Sequence, residues 1–499
     1  MSLSLSVGDA WAPLPASAWE EQAVRHLLRR AGWTARAADV RRALGEGLPA
    51  TLDRLFPPAA VAWPEPDSVA GLERDLPDFH RQVAQAMGEA KRKLRRDAFE
   101  RSQAAVRDMS VNWMELAVVP ENSAFEKWVA FLGNVFVVAT EKVHNAAYVY
   151  RHFEILASGA LGPAPQLAKA VSRSPAMEVY LDLAENRTGA PNENFARELF
   201  ELFLLGEGNY TEADIKEAAR AFTGYRIRPA TGRFAFAPRQ HDDGVKILFG
   251  QSGRFGGDDV IDLAYCQRAA GAHLPRRMAA FYLGDLRLPP EYEFAIGDRW
   301  RTEGAYDLRW LVRNFFGSRI FFAPEFRGNL IKSPVQLYLG LLQDLNLDVM
   351  PVPRFVLNPL RQMGETPFNP PNVRGWIGGR SWINSASLGV RRALVERLFT
   401  PLDGAALTAD EQQDLVAARA GGKSRFAMTE SDLDAWMALS PDQVLGSLQE
   451  NFLSAPPNPE FLSQLRQFLQ GRATDPAEHR RRVRRAILTA LESPEYQVC

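Results

Sequence analysis

Apolar residues recur at the α-helical period through almost the whole of this 499-residue chain, and that repetition leaves little room for anything but a helical fold. Val24, Leu27 and Leu28 mark one face of a helix expected over residues 19–30, and Gly32 stops it. A second helix is expected over 35–44, a Pro- and Ala-rich loop over 56–66, and one or two long polar helices over 69–116. Buried helices follow at 124–138, 146–158 and 163–172. Further helices are expected at 260–272, 275–283, 307–317, 333–344, 355–363 and 387–399, and the tail over 432–496 is helical again. Strict alternation appears convincingly once. Tyr225 and Ile227, then Phe234 and Phe236, sit two apart around 229–232, which is hairpin spacing. The sequence therefore predicts an all-α protein, a large multi-helix bundle with a small β-hairpin insertion around 224–236. The main helical domain would span 1–399, with the hairpin insertion at 224–250. A connecting segment would span 400–431, and the C-terminal helices 432–499 would pack on the same domain.

Composition removes several function classes. Lys and Arg total 59 against 60 Asp and Glu, so the strongly basic balance of a dedicated nucleic-acid binder is missing. The run KRKLRR at 91–96 has Glu89, Asp97 and Glu100 beside it and reads as a solvated helix face. Two cysteines, Cys266 and Cys499, make neither a disulfide framework nor a thiolate zinc site. The N-terminal residues have no basic and apolar signal pattern. The longest apolar stretch, 128–140, suits a buried helix better than a membrane span. A soluble, cytoplasmic protein is expected.

Three polar segments carry the chemistry. In the first, Glu193, Arg197 and Glu201 are spaced i, i+4, i+8, and Asn194, Glu198 and Glu201 i, i+4, i+7, on a helix whose core stripe is Phe195, Leu199, Leu202 and Phe203. Asn192 is placed to cap that helix, and Thr211 to cap the next by accepting the Asp214 N–H. These polar faces are either surface ion pairs or a polar cluster in a cleft with Arg197 at its centre. In the second segment, His241, Asp242, Asp243 and Lys246 stand on a turn after the hairpin. They suit acid–base work or cation binding, or form an Asx turn with a space-filling histidine. The third runs from Pro370 through Asn372, Arg374 and Trp376 to Trp382 and Asn384. Amide and guanidinium groups beside aromatic walls suit recognition of a polar or planar ligand, and the alternative is a loop packed on its own tryptophans. Phosphate-loop, dinucleotide, zinc-protease and serine-hydrolase signatures are absent. One Glu-x-x-His match, Glu141 to His144, has no second copy, so no metal and no cofactor is expected.

The chain resembles a bacterial family catalogued as domain of unknown function 1800. The resemblance runs from His26-Leu27-Leu28-Arg29-Arg30-Ala31-Gly32 through Pro175-Ala176-Met177, Tyr180-Leu181-Asp182 and the block 191–224. It continues with His241-Asp242 and Lys246, the stretch 253–262, and Lys332-Ser333-Pro334. Pro371-Asn372-Val373-Arg374-Gly375-Trp376, Trp382-Ile383-Asn384 and Ser493-Pro494-Glu495-Tyr496 close it. Members typically carry Trp-His-Asn-His where this chain has Leu132-Gly133-Asn134-Val135, so both histidines are gone. The family's genes often lie beside those of a sulfatase-like family, which implies a protein partner.

Two readings follow. In one, the chain is an enzyme with a polar cleft for an anionic or polar small substrate. His241 would be the acid–base group, oriented by Asp242 or Asp243, with Glu198 as a further catalytic carboxylate. Arg197, Lys246 and Arg374 would balance substrate charge, and Glu193, Asn194, Asn372, Trp376 and Asn384 would bind and orient it. In the other, the chain is a non-catalytic binding or assembly protein working with a sulfatase-like partner, and the same residues pin loops to the bundle. The lost histidines favour the second reading and the retained polar block the first.

Overall fold

The computed structural model describes residues 3–58, 62–284, 286–454, 457–471 and 475–499. Residues 59–61 of the expected loop, and 455–456 and 472–474 of the expected helical tail, lie outside them. The described residues form 24 α-helices and two small two-stranded antiparallel sheets. The all-α expectation holds, and no described helix is long and apolar enough to cross a membrane.

The helix Pro120–Val135 organises the core. Proline at its first position fits a helix start, because its missing N–H is one that the first turn leaves unpaired anyway. Almost every side chain after Ser123 is buried, and Trp128 is fully so, its indole N–H donating to the Ala160 carbonyl at 2.7 Å. Around this helix pack Glu21–Ala31, Ala37–Leu55, the second half of Gly88–Ala117, Ala146–Gly159 and Arg268–Tyr282. The exposed first half of Gly88–Ala117 carries the 91–96 basic run, which is a solvated face as expected. Val352, Leu407, Leu415 and Phe426 form a small separate core, part of it on a helix, Ala409–Ala420, within the stretch expected as a connection.

The hairpin is present with the expected spacing: Tyr225–Arg228 pairs with Arg233–Phe236, Tyr225 opposite Phe236. A second pair, Lys246–Leu248 with Gln251–Gly253, was not expected. Its turn holds Phe249 and Gly250 at φ 48° and 78°, the two positive values that twist a two-residue hairpin loop correctly. The helix Pro290–Thr302 was also missed. The single α-helix expected after Asn192 is corrected as well. Asn194–Glu198 is α-helical, but Leu199–Leu204 is a π-helix, in which both Leu205 and Gly206 donate to the Phe200 carbonyl. A π segment changes which carbonyls are free, and here the Leu202 carbonyl accepts from His273 Nε2 at 2.8 Å.

Several family motifs prove to be buried polar ties. Arg30 is fully buried and donates to the carbonyls of Tyr282 and Phe326 and to Asn329. Arg391, equally buried, donates to the Lys332 carbonyl and to Gln497. His26, His152 and His273 each bond a main-chain carbonyl, and burial holds all three below the usual histidine range. They are neutral core histidines.

Candidate functional site

The polar segments do not converge in one cleft. Arg197 is about a third exposed and forms a bidentate pair with Glu212, at 2.7 and 2.8 Å, with Glu193 at 3.4 Å. It is a surface ion pair, the first of the two alternatives for this segment, and not the centre of a polar cluster in a cleft. Asn194 donates to Leu181 O and Asp182, tying the helix start to the preceding turn. Glu198 is half-buried and makes no hydrogen bond or ion pair among the described residues. Burial, then the neighbouring Glu201, raises its carboxyl above the usual range.

The second segment is a structural knot. His241 Nδ1 donates to Thr223 O at 2.9 Å, and its ring packs edge-on against Phe236. Asp242 spends its oxygens on Arg220, at 2.8 and 3.1 Å, and the guanidinium holds the carboxyl down at about 2. It therefore does not orient His241, and Asp243 stands 3.9 Å from the ring, beyond hydrogen-bonding reach. Lys246 is buried, with its ammonium on the carbonyls of Asp242 (2.5 Å) and Gly244 (3.2 Å). With Gly244 N donating to Asp242 Oδ1, the turn is the Asx arrangement weighed above.

The third segment roofs a cavity. About 240 Å³ of space lies between the helix Pro120–Val135, the helix Arg268–Tyr282, the start of the helix Pro334–Leu345 and the 364–384 loop. The loop contributes Arg374, Trp376 and Trp382, while Asn372 and Asn384 are not in the lining. Asn372 closes an Asx turn onto the Arg374 N–H, and Asn384 caps the helix Ser385–Leu398. Asn134 fastens the roof: it accepts from Trp376 N at 2.7 Å and donates to Trp376 O at 3.2 Å. The clamp needs glycine at 375. Its φ is +79°, and a Cβ there would stand 2.0 Å from Asn134 Oδ1. Arg374 ties the roof to the π segment through Glu201 (3.1 Å) and to the turn beyond it through Glu207 (3.0 Å).

Several aromatic rings stand in the wall, Trp33, Trp63, Trp113, Phe153 and Phe368 among them. Phe153 stacks on Trp63 at 5.6 Å and meets Phe368 edge-on at 4.7 Å. Behind them, Trp63 and Trp113 both donate to Glu126 Oε2, and burial pushes that carboxyl up to about 7. The polar groups of the lining include Lys127 and Glu365, neither singled out from the sequence. Lys127 is 3% exposed. Its amine donates to the Gly32 carbonyl at 2.9 Å, lies 5.5 and 5.9 Å from the ring centres of Trp33 and Tyr282, and makes no ion pair among the described residues. Burial brings it down to about 7. Glu365 Oε2 accepts from Val335 N at 2.8 Å, and burial raises its carboxyl. At the roof side, Arg277 donates to Asn134 O at 2.6 Å and has no carboxylate partner among the described residues. Burial, with Arg374 nearby, holds it at about 10. One sequence signal pointed here: Lys127, Phe131 and Asn134 are spaced i, i+4, i+7, so a lysine shares the core-facing stripe of an otherwise apolar helix.

No group of three or more His, Cys, Asp or Glu among the described residues is arranged to hold a metal ion. A family model described as Protein of unknown function (DUF1800) matches residues 26–498, nearly the whole chain. No curated protein and no solved structure matches it.

Proposed function

The chain belongs to that family, whose description assigns no reaction, and we propose that it is an enzyme that works in the aromatic cavity on a small planar molecule with an anionic or polar end. The observation that carries the reading is Lys127, a buried amine without a counter-ion in the wall of a ring-lined space. A convergent pocket with few polar groups, one of them far from its ordinary protonation range, is where chemistry is expected. The space exceeds the roughly 150 Å³ that admits benzene, so a substituted ring fits. Trp376, Trp382 and Phe368 offer flat apolar faces. Arg277, unpaired on the roof side, suits an anionic end, and Lys127, deeper, suits the reacting atom. The acid–base role first expected of His241 is left out of this reading, because the groups around it tie a turn.

Calorimetric titration with benzoate, phenylacetate and indole-3-acetate tests the site. At least one should bind saturably to the unaltered chain, and Ala130→Phe, which places a ring in the cavity wall, should abolish that binding while circular dichroism stays unchanged. If none of the three binds, or if binding survives Ala130→Phe, the cavity is not the site.

A further inference from the structure

We propose that Lys127 is a nucleophilic amine that forms an imine with the carbonyl carbon of an aldehyde or ketone held in the cavity. This rests on the cavity being the ligand site and goes further, naming both the reacting atom and the substrate class.

Three observations converge on it. First, Lys127 is almost fully buried yet is one of the residues that line the cavity, a place where bulk water competes poorly. Second, it makes one hydrogen bond, to Gly32 O, and no carboxylate lies within ion-pair distance among the described residues. A buried ammonium left unpaired costs several kcal/mol, so the neutral amine is favoured. A neutral amine that gives one N–H to Gly32 keeps a lone pair for an electrophile. Lysines desolvated in this way are the ones that form Schiff bases. Third, Glu365 lines the same cavity, and burial raises its carboxyl above the usual carboxylate range, which suits it to be the acid of the step. A purely structural lysine would satisfy Gly32 O equally well, but it would need no cavity beside it and no acid in the same wall.

The step balances without a redox partner. The Lys127 nitrogen attacks the carbonyl carbon, the C–N bond forms as the C=O π bond breaks, and one proton passes from the nitrogen to the oxygen to give a neutral carbinolamine. Glu365 gives a proton to the departing hydroxyl, the C–O bond breaks, and the products are the protonated imine, water and the Glu365 carboxylate. Hydrolysis runs the same steps backwards and returns the proton to Glu365.

The test is reductive trapping on the full chain at pH 7. Benzaldehyde with cyanoborohydride should leave a benzyl group on Lys127 at least about tenfold faster than on exposed lysines such as Lys93, because a far larger share of its amine is unprotonated. Ala130→Phe should suppress labelling of Lys127 and leave that of Lys93 unchanged. Benzoate, which cannot form an imine, keeps the two readings apart. If benzoate binds and Lys127 is labelled no faster than Lys93, the imine is wrong and the cavity stands. If none of benzoate, phenylacetate and indole-3-acetate binds and Lys127 is not labelled, both fall. Fast labelling that Ala130→Phe does not slow would show that the amine reacts from outside the cavity, and would overturn the proposal.

Discussion

Replacing Lys127 with methionine should change how the stability of the protein depends on pH, and the structure fixes the sign. In the folded chain burial holds the amine at about 7, against 10.5 for a solvated lysine. Below pH 7 both states carry the proton, so the whole cost of burying a charge is present and there is no slope. Between pH 7 and 10.5 the unfolded state holds a proton that the folded state lacks, and stability rises by about 1.4 kcal/mol per pH unit. Above that window both states are neutral and the slope vanishes. Methionine has a similar length and does not titrate. It forfeits the bond to Gly32 O, a loss of about 1 kcal/mol that does not depend on pH. The variant should therefore be the more stable protein at pH 6, and its advantage should shrink by about 3 kcal/mol from pH 7 to pH 9. Equilibrium urea unfolding of both proteins at pH 6, 7, 8 and 9, followed by tryptophan fluorescence, measures the difference. If that difference stays constant to within about 0.5 kcal/mol, the amine is not displaced from its ordinary range, and the argument from burial fails.

Three further substitutions probe other parts of the structure. Gly375→Ala forces a side chain into the left-handed region and against Asn134 Oδ1. It should cost about 2–4 kcal/mol and expose the 364–384 loop to limited proteolysis, and an unchanged digest would contradict the clamp. Arg197→Ala should shift the urea midpoint by less than about 1 kcal/mol, since the residue is a partly exposed ion-pair partner, and a loss of 3 kcal/mol or more would restore a buried network there. Glu178 is fully buried, with no hydrogen-bond partner for either carboxyl oxygen among the described residues, and burial raises it to about 8 from 4.5. The folded state then holds a proton that the unfolded state has lost across that window, so stability falls as pH rises through it. Glu178→Gln should gain on the unaltered chain from pH 5 to pH 8, and parallel pH profiles would show that the carboxyl is not displaced.

The fold was legible because its information is periodic. A helix buried on one face must repeat its apolar residues, and the hairpin must alternate, so both could be read from spacing. Part of what escaped had no period to show. Strands of three residues, as at Lys246–Leu248, are too short to alternate, and only Phe249-Gly250 hinted at their turn. The π segment Leu199–Leu204 escaped because the same apolar run is consistent with an α-helix. The helix Pro290–Thr302 did carry a stripe, Tyr292, Ile296 and Trp300 at i, i+4, i+8, which follows its prolines directly. The site was legible only in part. Loop composition pointed to Arg374 and Trp376, which do line the cavity. The charged residues spaced along 193–201 and clustered at 241–246 drew attention because they are charged, yet most of them serve surface pairs and a turn. Lys127 was passed over because a lysine at the edge of an apolar run looks like a flank. Its place on the buried face emerges only when it is counted with Phe131 and Asn134.

The two positions where the resemblance implies histidines, Gly133 and Val135, are apolar here, and the first is bound up with the aromatic wall of the cavity. At one of the two positions, Val135 is buried in the core. At the other, a Cβ on Gly133 would stand 2.5 Å from the Phe153 ring, so no larger side chain fits while Phe153 keeps its place. That ring stacks on Trp63 and abuts Phe368, and all three line the cavity. Glycine at 133 is thus what allows the wall to be aromatic. Asn134, between those two positions, has a separate task, since both its side-chain bonds go to the backbone of Trp376 in the roof. The four-residue motif therefore divides into a part that shapes the wall and a part that fastens the lid. In this chain the first part is apolar packing and the second is the Asn134 clamp. A clamped roof over an aromatic space with Lys127 among its lining residues is the arrangement on which the proposed ligand reading rests.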